Sequence, residues 1–369
     1  MVTINWVNNK NIDNKLSILE FINKDSYNIR ELFFELISDI GNYNLLNKPL
    51  YDHLKYKNIQ SMWVMSLINQ KSHYKSEYLD DIIKIIAFKK YVEKENPDEV
   101  FLENSNQKTF ETLKKYCDLK NIKLHEIDTV KKNKFKIHEL LPNFIQAILW
   151  ISKIFIEHSW LKKRKNKTHD SEIFICSYFS HLNGDELKKG SYRSEYWDGL
   201  SKLFISKNIK VEWVHHYIKT KITPNTKTAN NILDSINTNR YNNHNFITSY
   251  LNLTLLLKIV LGYISFRFQT LLLKMSTQNI FYFDGLDYKK FLKKDYDTSI
   301  YGIVAIENIM WIEIFNKILK DLPKQKLGIY LQENQGWEYA FINAWKNNGH
   351  GKLLAVQHSS VSFWDMRYL

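Results

Sequence analysis

Glycine-rich phosphate loops are missing from this chain, and with them the commonest marks of a nucleotide enzyme. The 11 glycines form neither a dinucleotide-type nor a Walker-type loop, each of which needs closely spaced glycines so that backbone N–H groups can reach phosphate oxygens. There is no nucleophile elbow, no His-Glu-x-x-His and no kinase signature. Cysteine is limited to Cys117 and Cys176. That excludes a cysteine-built metal site and a disulfide framework, and it points to a reducing compartment. The opening residues, MVTINWVNNKNIDNK, hold no basic stretch followed by an apolar core, so no secretory signal is read and a cytoplasmic location is expected. Arginine is scarce as well. The formal charge of +13 is almost wholly lysine, and without an arginine-rich stripe or an RNA-binding signature no nucleic-acid partner is expected. Attraction to an anionic membrane surface or a phosphorylated substrate is the stronger implication.

What is present is a chain of 369 residues, 44% hydrophobic and 14% aromatic, long enough for two cored domains and too apolar to be disordered. Residues 1–130 read as a small α/β domain. A strand at 3–7 and an apolar run at 61–68 precede a helix over 76–95, which Asn96-Pro97-Asp98 stops. A strand over 99–102, a helix over 107–117 and a strand over 123–127 follow. Glu103 stands where a ligand edge would lie, although N-capping by Asn104 or Ser105 is favoured for that turn.

Residues 131–168 read as a connector. Lys131, Lys132, Lys134 and Lys136 precede an apolar stretch over 140–161, and Lys162, Lys163, Arg164, Lys165 and Lys167 follow it. The charged residues Lys153 and Glu157 inside the stretch argue against a membrane span. A helix packed between domains and an interfacial helix on anionic lipid both remain. A second such stretch, 246–275, is interrupted by Lys258, Arg267 and Lys274.

Residues 169–369 read as a second α/β domain. A fully apolar strand at 173–178 ends in Ser180, His181 and Asn183. A polar loop then opens a helix near 191–197 that reaches 206, and a strand at 210–213 delivers His215 and His216. Residues 218–245 are polar, with one helix over 228–237. A short strand at 280–283 and a helix over 303–319 lead to the last forty residues, which carry the densest signal. Leu327 to Leu331 is a strand, and Trp337, Ala340, Phe341 and Ala344 recur at helical spacing. Asn348-Gly349-His350-Gly351 closes that helix, and Leu353 to Val356 returns as a strand delivering Gln357, His358, Ser359 and Ser360. A βαβ unit brings both strand ends to one edge of a parallel sheet, where ligands of α/β folds sit. Glu333 and His358 are therefore expected on a shared rim, and carboxylate, imidazole and amide groups converging there suit acid–base work on a sugar or phosphate.

Glu333-Asn334, Trp337-Glu338-Tyr339-Ala340, Ala344-Trp345, Gln357-His358-Ser359 and Phe363-Trp364-Asp365 resemble a bacterial surface-carbohydrate (O-antigen and capsule) biosynthesis family of GT-B-like glycosyltransferases. Ser177-Tyr178-Phe179 and Arg193-Ser194-Glu195-Tyr196-Trp197 are similar to an upstream motif of the same family. The resemblance covers about 170–369. It implies an α/β fold with Rossmann-like parallel-sheet domains of GT-B type and long helical insertions. Residues 169–369 would be the acceptor-side domain, ending before the nucleotide-sugar domain. The implied activity is transfer of a sugar from a nucleotide donor to a growing, lipid-linked or polymeric surface glycan, at the inner face of the membrane, with no metal or other cofactor. Glu333 or His358 would be the base. Arg193, Asn334, Gln357, Ser359 and His181 would bind substrate. A non-catalytic glycan- or partner-binding module at a membrane is the alternative, and an epimerase-like enzyme a third reading.

Overall fold

The computed structural model describes residues 2–7, 15–129, 141–163, 171–237, 242–271, 273, 279–357 and 360–368. The chain is α/β, and it groups into two compact units: residues 1–55, 61–143 and 267–301 form unit 1, and residues 56–60, 144–266 and 302–369 form unit 2. The grouping is interleaved along the chain, whereas a reading of the sequence divides it into consecutive blocks.

Unit 1 is built on strands β1 (Val2–Asn5) and β2 (Leu16–Ser17), helix α1 (Leu79–Glu95), strand β3 (Glu99–Ser105), helix α2 (Gln107–Leu119) and strand β4 (Lys123–Thr129). The sheet order is β2-β1-β3-β4 with every pair parallel. In α1, Ile82, Ile85, Ile86, Phe88 and Val92 form one broad buried face. Asp80 and Asp81 in the first turn favour the positive end of the helix dipole, and Asn96 ends the helix in a left-handed conformation. Strand β3 runs further than expected, through Asn104 and Ser105. The cap of α2 is consequently Asn106, whose side chain accepts from Thr109 N at 3.0 Å. The run 61–68, expected as a strand, instead makes turns and a short helix, Leu67–Gln70. Side-chain amides replace strand partners there: Asn69 donates to the Val64 carbonyl and Gln70 to that of Met65.

Unit 2 contains helix α3 (Asn143–His158) from Phe144 on, strands β5 (Ile173–Phe179), β6 (Val211–Tyr217) and β7 (Asn242–Phe246), helix α4 (Leu253–Leu271) as far as Phe266, helix α5 (Ile303–Asp321), strand β8 (Leu327–Gln332), helix α6 (Gly336–Asn347) and strand β9 (Lys352–Gln357). Its five strands are ordered β7-β6-β5-β8-β9, all parallel. In chain order this is 3-2-1-4-5, the arrangement of doubly wound sheets. Its topological switch point lies between β5 and β8, the crevice that such sheets use for ligands. The stretch expected to form one helix from 191 to 206 is split into a 3-10 turn at Glu195–Trp197 and a helix at Leu200–Ser206.

Strand β7, NNHNF, falls in a segment whose polarity reads as loop, yet every residue in it is buried. Its polar groups are met from the neighbouring strand. Asn243 Nδ2 donates to both carboxylate oxygens of Glu212, at 3.0 and 2.8 Å, and Asn245 Nδ2 donates to one at 3.2 Å. His215 and His244 stack at 7° with their ring nitrogens 3.0 Å apart. A polar sequence becomes core only when such partners exist, and they lie about thirty residues away in the chain.

The terminal βαβ unit matches its expected outline within a residue or two. Gly328 in β8 is a packing requirement: a Cβ there would sit 2.7 Å from Trp345 and from Leu353, so glycine lets α6 lie close on the sheet. Strand β9 is the sheet edge, and Leu354 on it is half exposed. Among the described residues α4 is the one helix long and apolar enough by itself to cross a membrane. The helix Lys289–Tyr301 and α5 meet the same length and composition criteria when taken together.

Candidate active site

The switch point of unit 2 is where β5 and β8 present Tyr178 and Glu333. Tyr178 OH donates to Glu333 Oε2 at 3.2 Å, Gln335 Nε2 donates to the same oxygen at 3.3 Å, and Trp337 Nε1 donates to Tyr178 OH at 3.0 Å. A relay of three donors is thereby aimed at one carboxylate. Local sequence explains the placement. Glu338, three residues after the cap Gln335, closes a capping box. Its Oε1 accepts from Gln335 N at 2.8 Å and Glu333 N at 2.9 Å, which ties the backbone of Glu333 to the first turn of α6. Glu338 is thus a positioning residue.

Tyr178 and Trp337 belong to an aromatic cluster. His216 pairs in register with Tyr178. Its ring centroid is 4.3 Å from Trp337, 5.2 Å from Tyr178 and 5.0 Å from Trp311. His216 is buried, and its Nε2 has no hydrogen-bond partner among the described residues. Burial, reinforced by His215 alongside, pushes its pKa down to about 3, so the ring is neutral at ordinary pH. Burial, with the negative charge of Glu333 beside it, pushes the Tyr178 phenol well above its ordinary range. Tyr178 therefore stays protonated and acts as a donor, not as a base.

Of the residues expected to act, Glu333 and Asn334 stand together at the end of β8, and Gln357 ends β9 opposite Gln332. Asn334 adopts a left-handed conformation with φ of 56°, which Asn tolerates well, and accepts from Tyr339 OH at 3.2 Å. His358 and Ser359 lie outside the described residues. His181 and Arg193 sit in the loop after β5. The His181 ring is 4.8 Å from Tyr196, and its Nδ1 is 3.5 Å from Glu195. The guanidinium of Arg193 makes a bidentate pair with Asp198 at 2.7 and 3.0 Å, so to hold a phosphate it must exchange that partner. Sequence reasoning missed Tyr178, Gln335, Tyr196 and Arg367 as site groups. Arg367 is paired with Asp365 at 2.7 Å and interacts with the charge of Glu333, while Tyr368 OH donates to the Gln332 carbonyl at 3.1 Å. The signal for Tyr178 was its place at the end of the first strand, next to the switch point.

Among the described residues no group of three or more His, Cys, Asp or Glu side chains could hold a metal ion. A cavity of about 140 Å³ exists in unit 1 between Thr112, Tyr116, Leu119 and Leu286. It lacks a convergent carboxylate–phenol–indole set, so chemistry favours the switch point of unit 2. Comparison with known proteins returns no matching family model, no matching curated protein and no matching solved structure.

Proposed function

We propose that this chain is a glycosyltransferase of GT-B type that binds a nucleotide sugar and a surface-glycan acceptor, with Glu333 as its base. The observation that carries the reading is the Glu333 carboxylate at the switch point, oriented by Tyr178 and Gln335, with Trp337 in turn donating to Tyr178. Of the motif residues that resemble the surface-carbohydrate family, Tyr178, Glu333, Trp337 and Glu338 meet at that point. The doubly wound parallel sheet of unit 2 also suits a Rossmann-like domain of such an enzyme. In the reaction the acceptor hydroxyl oxygen bonds to the anomeric carbon and its proton passes to Glu333. The bond from that carbon to the phosphate oxygen breaks, and the electron pair leaves with the nucleotide. The partly exposed ring of Tyr196 suits stacking on a sugar or base, and Arg193 and Arg367 supply cations for phosphate oxygens. Nucleotide sugars are cytoplasmic metabolites, so the reading places the site on the cytoplasmic side.

The test is nucleotide release from a panel of nucleoside-diphosphate sugars, with and without glycan acceptors. Glu333→Gln should lower turnover by about 10²–10⁴-fold, the range for a lost general base, with donor binding kept. Undiminished turnover overturns the assignment of Glu333. Tight donor binding with no turnover in the unmodified protein would favour a non-catalytic binding module.

A further inference from the structure

Two helices of unit 2 bury one side and leave the other apolar and bare. In α3 the buried residues are Ala147 and Ile151, while Ile145, Leu149 and Ile156 are 42%, 56% and 68% exposed, and Trp160 just beyond the helix is 58% exposed. In α4 the buried residues include Leu255, Ile259 and Tyr263, while Leu253, Leu257 and Leu261 are 62%, 55% and 65% exposed. On each helix the bare stripe lies two residues, about 200°, from the buried one. The helices are neighbours: the Phe144 and Tyr263 rings stack at 8° and 6.1 Å. At the other end His158 Nδ1 lies 2.6 Å from Thr248 Oγ1, just before α4. They therefore run antiparallel, side by side, and their bare stripes share the outward side. A cluster of large aliphatic side chains on that scale is not ordinary surface.

We infer that the paired outer faces of α3 and α4 dock on an anionic lipid bilayer, with the helices lying in the plane of its interface. Charge selects this occupant. Lys153, Lys162, Lys163, Lys227 and Lys258 lie on or beside the two helices, against Glu157, Glu313 and Asp321 as their acidic partners, and the chain carries +13 overall. Lys227 lies 5.5 Å from the Trp160 ring centroid, and an exposed Trp with an adjacent Lys is the pairing that settles at headgroup depth. A second copy of the chain would gain from burying the leucines but not from the surrounding lysines, which like charge would oppose. A transmembrane role for α4 is disfavoured by its own anchoring. Ile259 and Tyr263 are fully buried, and Lys258 Nζ holds the buried Glu313 of α5 at 2.5 Å. One side of α4 is thus committed to protein, and the other is free to enter the interface. The inference stands apart from the glycosyl-transfer reading.

The experiment is co-sedimentation of the full chain with extruded vesicles of phosphatidylglycerol and phosphatidylcholine, against vesicles of phosphatidylcholine alone. Binding to the anionic vesicles should be strong, weaker at high salt, and weak on the neutral ones. The double variant Leu149→Glu/Leu257→Glu should lower partitioning at least about tenfold with circular dichroism and melting temperature unchanged. If that variant does not fold, Leu149→Ser/Leu257→Ser carries the same prediction in the same direction. The inference is overturned by failure of the unmodified chain to bind anionic vesicles, or by equal binding of a folded variant. It is also overturned by light scattering that shows a dimer which the variant dissolves while no vesicle binding occurs.

Discussion

Glu103 and Glu333 lie near the same edge of two different sheets, and they are held by different partners. Glu103 is among the last paired residues of β3 in unit 1, and Glu333 directly follows β8 in unit 2; each strand follows the topological switch of its sheet. Each is followed by an asparagine in left-handed conformation, Asn104 at φ of 60° and Asn334 at 56°. Around Glu103, Lys15 Nζ donates at 2.8 Å and Asn5 Nδ2 at 2.5 Å. Hydrogen bonds from Lys15 first and Asn5 second hold its carboxyl below the ordinary carboxylate range. A carboxylate so stabilised joins the strand ends and is a poor base. Around Glu333 stand the phenol of Tyr178 and the amide of Gln335, with the Arg367 guanidinium near enough to interact with its charge. The same backbone device thus yields a structural carboxylate in one unit and a candidate for proton transfer in the other.

If that contrast holds, the largest effects fall in unit 2. Trp337→Ala should cost about 3–5 kcal/mol of stability, because it removes a buried indole at the centre of the aromatic cluster. Chemical denaturation measures this. Trp337→Phe keeps an aromatic ring but loses the donor to Tyr178 and part of the indole's bulk, so it should stay folded at a smaller cost in stability and lose turnover. Next in size is Glu212→Ala, which strands the buried amides of Asn243 and Asn245 and should cost about 2–3 kcal/mol in the same measurement. Tyr178→Phe should then lower turnover about tenfold, equivalent to about 1.4 kcal/mol of barrier, with little change in melting temperature.

The smallest effect belongs to Glu103. Its folded pKa lies below the ordinary value of 4.5, so its contribution is fully present above that value and is lost as pH falls through the lowered one. Glu103→Gln should therefore lower the melting temperature by about 2 °C at pH 7, a figure kept small by solvent screening. That difference should vanish in acid. A difference that persists below the carboxylate range would show that shape, not charge, carries the role of Glu103.

The sequence makes the terminal βαβ unit legible because each local signal there agrees with its neighbours. The apolar strand, the helical spacing of Trp337, Ala340, Phe341 and Ala344 and the stop at Asn348-Gly349-His350-Gly351 all point to one outline. Strand β7 was illegible for the opposite reason: Asn242 to Phe246 gives no apolar run, and its burial depends on Glu212 and His215 in another strand. The interleaving of the two units, which brings residues 267–301 into unit 1, likewise rests on contacts with no local signature. In the candidate site, the position of Glu333 could be read from strand order. The Tyr178–Trp337 relay could not, because it joins residues 159 positions apart.

Side-by-side turnover of nucleoside-diphosphate sugar by Glu103→Gln and Glu333→Gln, each normalised to its folded fraction, tests the contrast most directly. Glu103→Gln should match the unmodified protein per folded molecule, and Glu333→Gln should fall at least about a hundredfold. Equal losses in the two variants, or a loss confined to Glu103→Gln, would contradict it.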